Sequence, residues 1–480
     1  MIVMKFGGTS VGDAAAIRRA ARIVLGAKEP VVVVSALSGV TDALAALGRL
    51  AVAGDPAISR ELAALHARHA ETAAGVAPPD GREILLAALR ADFAALERLI
   101  HALSTIREVS PRAADALLAF GEIASSRIFT AALEAAGGRA RWLDPRLLVV
   151  TDGAHGRAAP LMEATAGRLV PAVRSCVEAG VVPVLGGFVG ATADGATTTL
   201  GRGGSDYSAA IAGACLDARE IQIWTDVDGM LSADPRVLAG PRLVPHLSFE
   251  EAAELAHFGA KVLHPATVRP AMLRGIPVRI LNSGRPGGAG TVITAGAPER
   301  RAPLAAIACR RGLTLLEIRP RAGERHEAVV ADALGTLARY AIGVDAIAMT
   351  DVGLSLAVPD HPEAAHACAA LAARAEVAGR PGMALIAAVG DRLRVEPALS
   401  ARLLEAIDGI RVVMVSRAAG GRSLVLIVPD EDLRPAIERL HGACFAPRRA
   451  RRRPRGEPLT ATVAAAAAAH GPRGGHAVAG

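Results

Sequence analysis

Lys5 stands at the mouth of a glycine turn, in Met4-Lys-Phe-Gly-Gly-Thr-Ser10. A Gly7-Gly8 turn exposes backbone N–H groups, a following helix adds its positive end, and an ammonium adds a full charge, a combination that suits a polyphosphate. The lysine precedes the glycines, so this is not a Walker A loop, and a plain strand–turn–helix with a surface lysine accounts for the stretch equally well. A second glycine loop, Thr197–Tyr207 (TTTLGRGGSDY), surrounds Arg202 with Gly201, Gly203 and Gly204. The glycines let backbone approach a ligand, and the guanidinium offers a planar fork for a carboxylate. Helix capping would explain Ser205-Asp206 but not the Gly-Arg-Gly-Gly before them.

Four further stretches carry candidate groups. Glu122 in Phe120–Ser126 has Leu118, Ala119, Ser125 and Ser126 at its helical neighbour positions, so its own helix offers no basic partner. A carboxylate among small and apolar residues needs a partner elsewhere, and a substrate ammonium would serve. Thr225-Asp226 ends an apolar run and is followed by a turn at Asp228-Gly229; the pair suits a nucleotide or a metal-bound phosphate, or an ordinary turn. Ser35–Asp42 (SALSGVTD) follows another apolar run. Lys261 in Phe258–Pro265 lies late in a helix, where the dipole favours any cation, and His264 beside it reads as structural. Together these groups make an inventory of two ammoniums and glycine loops for phosphates, an arginine for a carboxylate and a glutamate for an amine. It fits an ATP-dependent kinase acting on a small amino acid.

The elements that must position these groups alternate in period. Runs at Ile2–Phe6, Val31–Leu37, Val181–Phe188, Ile221–Val227 and Pro277–Asn282 read as strands. Ala14–Leu25, Ala113–Ala136, Thr165–Ala179 and Ser248–Leu263 read as helices, and residues 51–110 as a helical insertion. Continuous apolar strands alternating with helices predict an α/β domain over residues 1–295, with a mostly parallel open sheet covered on both faces. Ser248 and Glu251 predict a capping box. Gly/Pro punctuation over 284–303 marks a boundary. Beyond it, 304–445 holds a repeat: the segments from Ala333 and from Ala401 each read helix, strand, turn, strand ending in Val-Pro-Asp, helix. Neither copy clusters potential catalytic groups, so they read as α+β binding or regulatory modules.

Composition narrows the class. Lysine occurs only at positions 5, 28 and 261, while arginine supplies the other 51 basic residues. Arg and Lys are not interchangeable where a compact charge is needed, so lysine kept in two glycine-containing motifs points to the ammonium itself. The net charge is +7, of which residues 447–480 contribute +6 through seven arginines and one glutamate. That low-complexity tail reads as disordered solvated charge rather than a nucleic-acid reader. Five scattered cysteines, with no metal-spaced cluster, point to a reducing compartment and no structural metal. No signal-peptide core and no apolar run of membrane length is evident, so the expectation is a cytoplasmic protein.

The sequence resembles aspartate kinases, most closely the monofunctional lysine-sensitive branch. KFGGTSV (5–11), TTTLGRGGSDY (197–207), WTDVDG (224–229), DPR (234–236) and FGAKVLHP (258–265) carry the resemblance, in family order, over residues 1–445. It implies an amino-acid-kinase domain followed by two ACT modules, the first (313–383) inserted into the second (304–310 plus 384–446). It implies phosphoryl transfer from ATP, with Mg2+ held mainly on the phosphates, to the β-carboxylate of L-aspartate. That is the first step toward lysine, threonine and methionine. Lys5, with Gly7 and Gly8, would stabilise the transferring group, and Asp206 would organise the site. Thr41 and Glu122 would hold aspartate with Arg202, Gly203, Gly204 and Ser205. Thr225, Asp226, Leu231, Arg236, Lys261 and Val262 would line the ATP pocket; Leu231 stands where family members have tyrosine. Val329, Val344, Asp345, Thr350 and Asp351 fall at the effector site for lysine or threonine, within an altered segment, 321–335, that puts lysine inhibition in question. A homodimer or homotetramer is implied. Two other readings stay open: a related acidic-amino-acid kinase of a specialised pathway with altered feedback, and a non-catalytic effector-binding protein.

Overall fold

The computed structural model describes residues 1–260, 265–296, 300, 302–417 and 420–445. The tail from Pro447, together with Lys261, Val262 and His264, lies outside the described residues.

The first sheet contains β1 (Ile2–Phe6), β2 (Pro30–Val34), β3 (Ala140–Leu143), β4 (Val182–Gly186), β7 (Glu220–Thr225), β8 (His246–Ser248), β9 (Val278–Asn282) and β10 (Thr291–Thr294). β5 (Val189–Ala191) and β6 (Thr197–Thr199) form a small separate antiparallel pair. The order of the large sheet is β3-β4-β2-β1-β7-β9-β10-β8. β3 through β9 run parallel, and β10 turns back antiparallel to β9. Parallel strands buried on both faces are apolar throughout, and β2 (PVVVV) shows it.

Around this sheet run α1 (Ala14–Leu25), α2 (Val40–Ala53), α3 (Ile58–Val76), α4 (Pro79–Ile106), α5 (Pro111–Leu118), α6 (Phe120–Ala135), α7 (Pro145–Leu148), α8 (Met162–Glu178), α9 (Gly204–Leu216), α10 (Phe249–His257) and α11 (Pro265–Leu273). Side chains alternate across a strand. Ile2, Met4 and Phe6 therefore pack with residues of α1, α4 and α6 in one core cluster, while Val3 joins the opposite cluster with α8 and α9. Lys5 shares the Val3 face, which is how its side chain comes to meet α9.

The expected helix 113–136 is two helices that meet at Ala119, started by Ser110 capping Ala113 N–H and by Pro111. This run, Pro111–Ala135, is the one described segment long and apolar enough to cross a membrane, which the expectation from apolar runs overlooked; most of it is buried in the protein core. The predicted capping box is present at Ser248 and Glu251.

The second sheet is antiparallel, in the order β12-β13-β11-β14-β16-β15. Its strands are β11 (Ala306–Pro320), β12 (Ala346–Thr350), β13 (Gly353–Pro359), β14 (Ala375–Val389), β15 (Met414–Arg417) and β16 (Ser423–Pro429). The helices are α12 (His326–Arg339), α13 (Ala364–Leu371), α14 (Arg392–Val395), α15 (Pro397–Ala406) and α16 (Leu433–Phe445). β11 and β14 are each 15 residues long and serve two modules: the half of β11 after Gly312 pairs with β13, and the second half of β14 pairs with β16. The register slips between Arg310 and Leu313, where Gly312 takes φ +70°. Each module thus places helices over one face of four antiparallel strands.

Candidate active site

A cavity of about 800 Å³ opens beyond the carboxyl ends of β1, β2 and β7. Ligand crevices of open α/β sheets lie there. Lys5, Gly7, Gly8, Thr41, Glu122, Arg202, Gly203, Gly204, Ser205, Asp206, Thr225 and Asp226 all line it. The Lys5 turn, the Arg202 loop, Glu122, Thr225-Asp226 and the Ser35–Asp42 segment thus share one space, although they span more than 220 positions.

Lys5 Nζ is 2.7 Å from Asp206 Oδ1 in the first turn of α9. Gly7 sits where a Cβ would be 3.5 Å from that ammonium, and its N–H donates to Trp224 O at 3.0 Å, binding the turn to β7. The helix after the turn differs from expectation. Gly8–Val11 is one 3-10 turn, and α1 begins only at Ala14, its first turn capped by Asp13, which accepts from Ala16 N at 2.8 Å. The positive end of α1 is therefore already satisfied by a carboxylate.

Two helix starts without a side-chain cap open on the cavity, α2 and α9. Their N-caps are Gly39 (φ +77°) and Gly203 (φ +71°), neither with a capping side chain, and both glycines line the cavity. Ser205 and Asp206 do not cap α9; Gly203 does. Uncapped N–H groups at a helix start favour anions. Arg202, exposed between Gly201 and Gly203, has no carboxylate partner among the described residues.

Glu122 is 4% exposed. It lies in the first turn of α6, pressed against the ends of β2 and β4: a Cβ on Gly121 would sit 2.8 Å from Ala36 Cβ, and one on Gly186 3.0 Å from Glu122 O. Its Oε2 has no hydrogen-bond partner among the described residues. Burial pushes the carboxyl up to about 8, against the opposing pull of the Ala36 N–H and the Lys5 charge. A carboxyl held neutral in this way gains from a cationic partner, which would favour its anion.

Phe188 and Asp115 also line this cavity, and the motif reading passed over both. Phe188 follows Gly186-Gly187, and its φ of +64° is strained for an aromatic residue. Its N–H donates to Ser208 Oγ at 2.8 Å, and a Cβ on Gly204 would lie 2.4 Å from its ring. The double glycine before it was the available signal.

A smaller cavity of about 300 Å³ continues from Val227 and is lined by Leu231, Asp234, Pro235 and Arg236. Arg236 pairs with Asp234 at 2.6 Å. Its other wall is Ala306, Ile307 and Cys309 of β11, and Ile307 N–H donates to Ser232 O at 2.9 Å. Further bonds join the two regions: Asp391 N–H to Glu251, Ser423 Oγ to Glu254, and Ser232 Oγ with His441 Nε2.

The residues named for an effector lie apart. Val329 is a core residue of α12, and Val344 packs at the edge of the same cluster. Asp345 is ion-paired with Arg310, whose other nitrogen donates to the His257 carbonyl. Thr350 and Asp351 are exposed at the β12–β13 turn.

A parallel sheet with helices on both faces, and a cavity at its carboxyl edge built from glycine turns and cations, define an amino acid kinase, and residues 1–282 match the Amino acid kinase family. The chain is 33% identical to the lysine-sensitive aspartokinase 3 of Escherichia coli, over 93% of this chain and 99% of that protein. It superimposes on E. coli aspartokinase III in complex with lysine and aspartate (T-state) with a TM-score of 0.81 at 32% identity, covering 93% of this chain and 99% of that one. The R-state complex of the same enzyme with aspartate and ADP gives a TM-score of 0.78 at 32% identity, covering 93% and 100%. The chain belongs to the aspartokinase family.

Proposed function

We propose that this protein transfers the γ-phosphoryl group of ATP to the β-carboxylate of L-aspartate, giving 4-phospho-L-aspartate. The observation that carries the reading is one cavity in which Arg202, with no carboxylate partner among the described residues, and Glu122, whose Oε2 has no hydrogen-bond partner among them, flank the Lys5–Asp206 pair. An α-amino acid presents a carboxylate and an ammonium from one carbon, and these two groups complement it.

In this reading Arg202, with Gly203, Gly204 and Ser205, takes the α-carboxylate, and Glu122 with Thr41 takes the α-ammonium. The β-carboxylate is already an anion, so no general base is needed. The work is positioning and neutralisation of charge between two anions. Lys5, held by Asp206 beside the Gly7-Gly8 turn, meets the phosphoryl group as it passes. Thr225 and Asp226 lead to the smaller cavity, where Leu231 and Arg236 receive the nucleotide. The described residues include no group of three His, Cys, Asp or Glu able to hold a metal ion. Mg2+ would arrive on the ATP phosphates, and the exposed carboxylate of Asp226, just past the end of β7 in the cavity lining, is the group that would hold it. When bound, Mg2+ would supply charge neutralisation on the phosphates.

The ACT-like region is proposed to read an amino-acid effector, lysine or threonine, in a homodimer or homotetramer. The Arg310–Asp345 pair bears on this, since an effector ammonium at Asp345 would compete with a guanidinium already there.

Purified protein given ATP, L-aspartate and hydroxylamine should yield aspartyl hydroxamate. Product with a different acidic amino acid and none with aspartate would overturn the substrate assignment, and ligand-dependent thermal shifts with no turnover would favour the effector-binding reading.

A further inference from the structure

Asp115 lies in α5, is 1% exposed and lines the main cavity. Its two oxygens are fully engaged. Oδ2 accepts from His155 Nδ1 at 2.7 Å and from Gly156 N–H at 3.1 Å; Oδ1 accepts from Gly156 N–H at 3.0 Å and from the Thr199 hydroxyl. With four contacts from three donors around it, the carboxylate has no capacity left for a ligand. Its contacts instead converge on one neighbour. Thr199 ends β6 two residues before Gly201, and its carbonyl accepts from Ala158 N–H at 2.9 Å. A Cβ on Gly201 (φ +77°) would sit 3.1 Å from Gly156 O, so the 152–158 loop and the Arg202 turn are packed backbone on backbone. Asp115 also lies seven residues before Glu122 across the α5–α6 junction, and both line the same cavity.

We propose that Asp115 is a positioning residue that sets the Arg202 turn against Glu122, and so fixes the spacing between carboxylate and ammonium recognition. The proposal rests on the aspartate reading above. Asp115 touches no substrate atom. It clasps the root of the carboxylate-binding turn to the helix run that carries the ammonium acceptor. Its buried charge tolerates no neutral substitute, because an amide would turn one donor toward donors already aimed at it. A misplacement near 1 Å at such a site costs on the order of 100-fold in rate or binding.

The test compares wild type with Asp115→Asn and Thr199→Val. Rates are followed by ADP release, with aspartate and ATP varied in turn, and with 3-aminopropanoate as a competitive inhibitor. That compound is aspartate without its α-carboxylate, so it cannot use Arg202. The expected result for Asp115→Asn is a rise of about 10- to 100-fold in KM for aspartate. KM for ATP and the inhibition constant of 3-aminopropanoate should stay within about twofold of wild type. Thr199→Val, which removes one hydroxyl, should show the same split at smaller amplitude, and it carries the test if Asp115→Asn is recovered unfolded. Unchanged KM for aspartate in a folded variant, or equal weakening of aspartate, ATP and 3-aminopropanoate, would overturn the positioning role. Wild type without aspartate-dependent ADP release would instead overturn the substrate reading on which it stands.

Discussion

The buried acid at Glu122 makes aspartate binding depend on pH in a direction the structure fixes. Burial holds its carboxyl protonated to about pH 8. At pH 7 the neutral form outnumbers the anion by about ten to one, and a substrate ammonium needs the anion. Losing the proton at pH 7 therefore costs about 1.4 kcal/mol, or about tenfold in apparent affinity. KM for aspartate should fall with rising pH, with a logarithmic slope near −1 between pH 6 and 7, and level off above 8, while KM for ATP stays flat. Initial rates coupled to ADP formation, with aspartate varied at half-unit steps of pH, measure this directly. In Glu122→Gln the KM should be high and pH-independent. Stability supplies a second arm. The ordinary carboxyl value is 4.5. Below it both folded and unfolded chains carry the proton and burial is without charge penalty; from there to about 8 the folded chain holds a proton the unfolded one has released, so stability falls as pH rises. Glu122→Gln should accordingly raise Tm over wild type at pH 8, with the gain shrinking toward pH 5. A flat aspartate KM in wild type, or a slope that survives in the glutamine variant, would refute the reasoning.

Three other outcomes follow from the geometry. Lys5→Met removes the charge proposed to meet the phosphoryl group and should lower kcat by about 10²–10³-fold, with CD-monitored unfolding little changed; a near-wild-type kcat removes Lys5 from the chemistry. Gly204→Ala places a methyl 2.4 Å from the Phe188 ring and should raise KM for aspartate, measured against an unchanged KM for ATP; no change would show that the ring moves freely. Arg310→Gln frees the Asp345 carboxylate and should shift the inhibition curve for added lysine to lower concentration; superimposable curves for variant and wild type would argue that the pair plays no part in effector recognition.

Much of the catalytic half was legible because local and long-range demands agree there. Ile2–Phe6 and Ala14–Leu25 form where the apolar period places them, and Ser248 with Glu251 closes its box. The glycine loops announced themselves by composition. Asp115 did not, because its partners lie 40 to 84 residues away and a lone aspartate in an alanine-rich helix carries no local pattern. β11 and β14 were hidden for a different reason. Each passes from one module to the next, so its burial changes along its length, and Arg310-Arg311-Gly312 imitates a turn in the middle of a 15-residue strand. The break at Ala119 has neither glycine nor proline to mark it.

The shared wall of the smaller cavity reaches beyond ligand contacts. Ala306, Ile307 and Cys309 belong to the strand that begins the regulatory sheet, yet they close the space that Leu231 and Arg236 open. A chain cut after residue 295 would keep every phosphate- and aspartate-facing group and still leave that pocket open on one side. Grafting a foreign regulatory half onto this kinase would likewise replace part of the wall of the proposed nucleotide pocket. The two halves are therefore not interchangeable parts: any change that retunes the sensor strand also retunes the pocket, and the two must vary together.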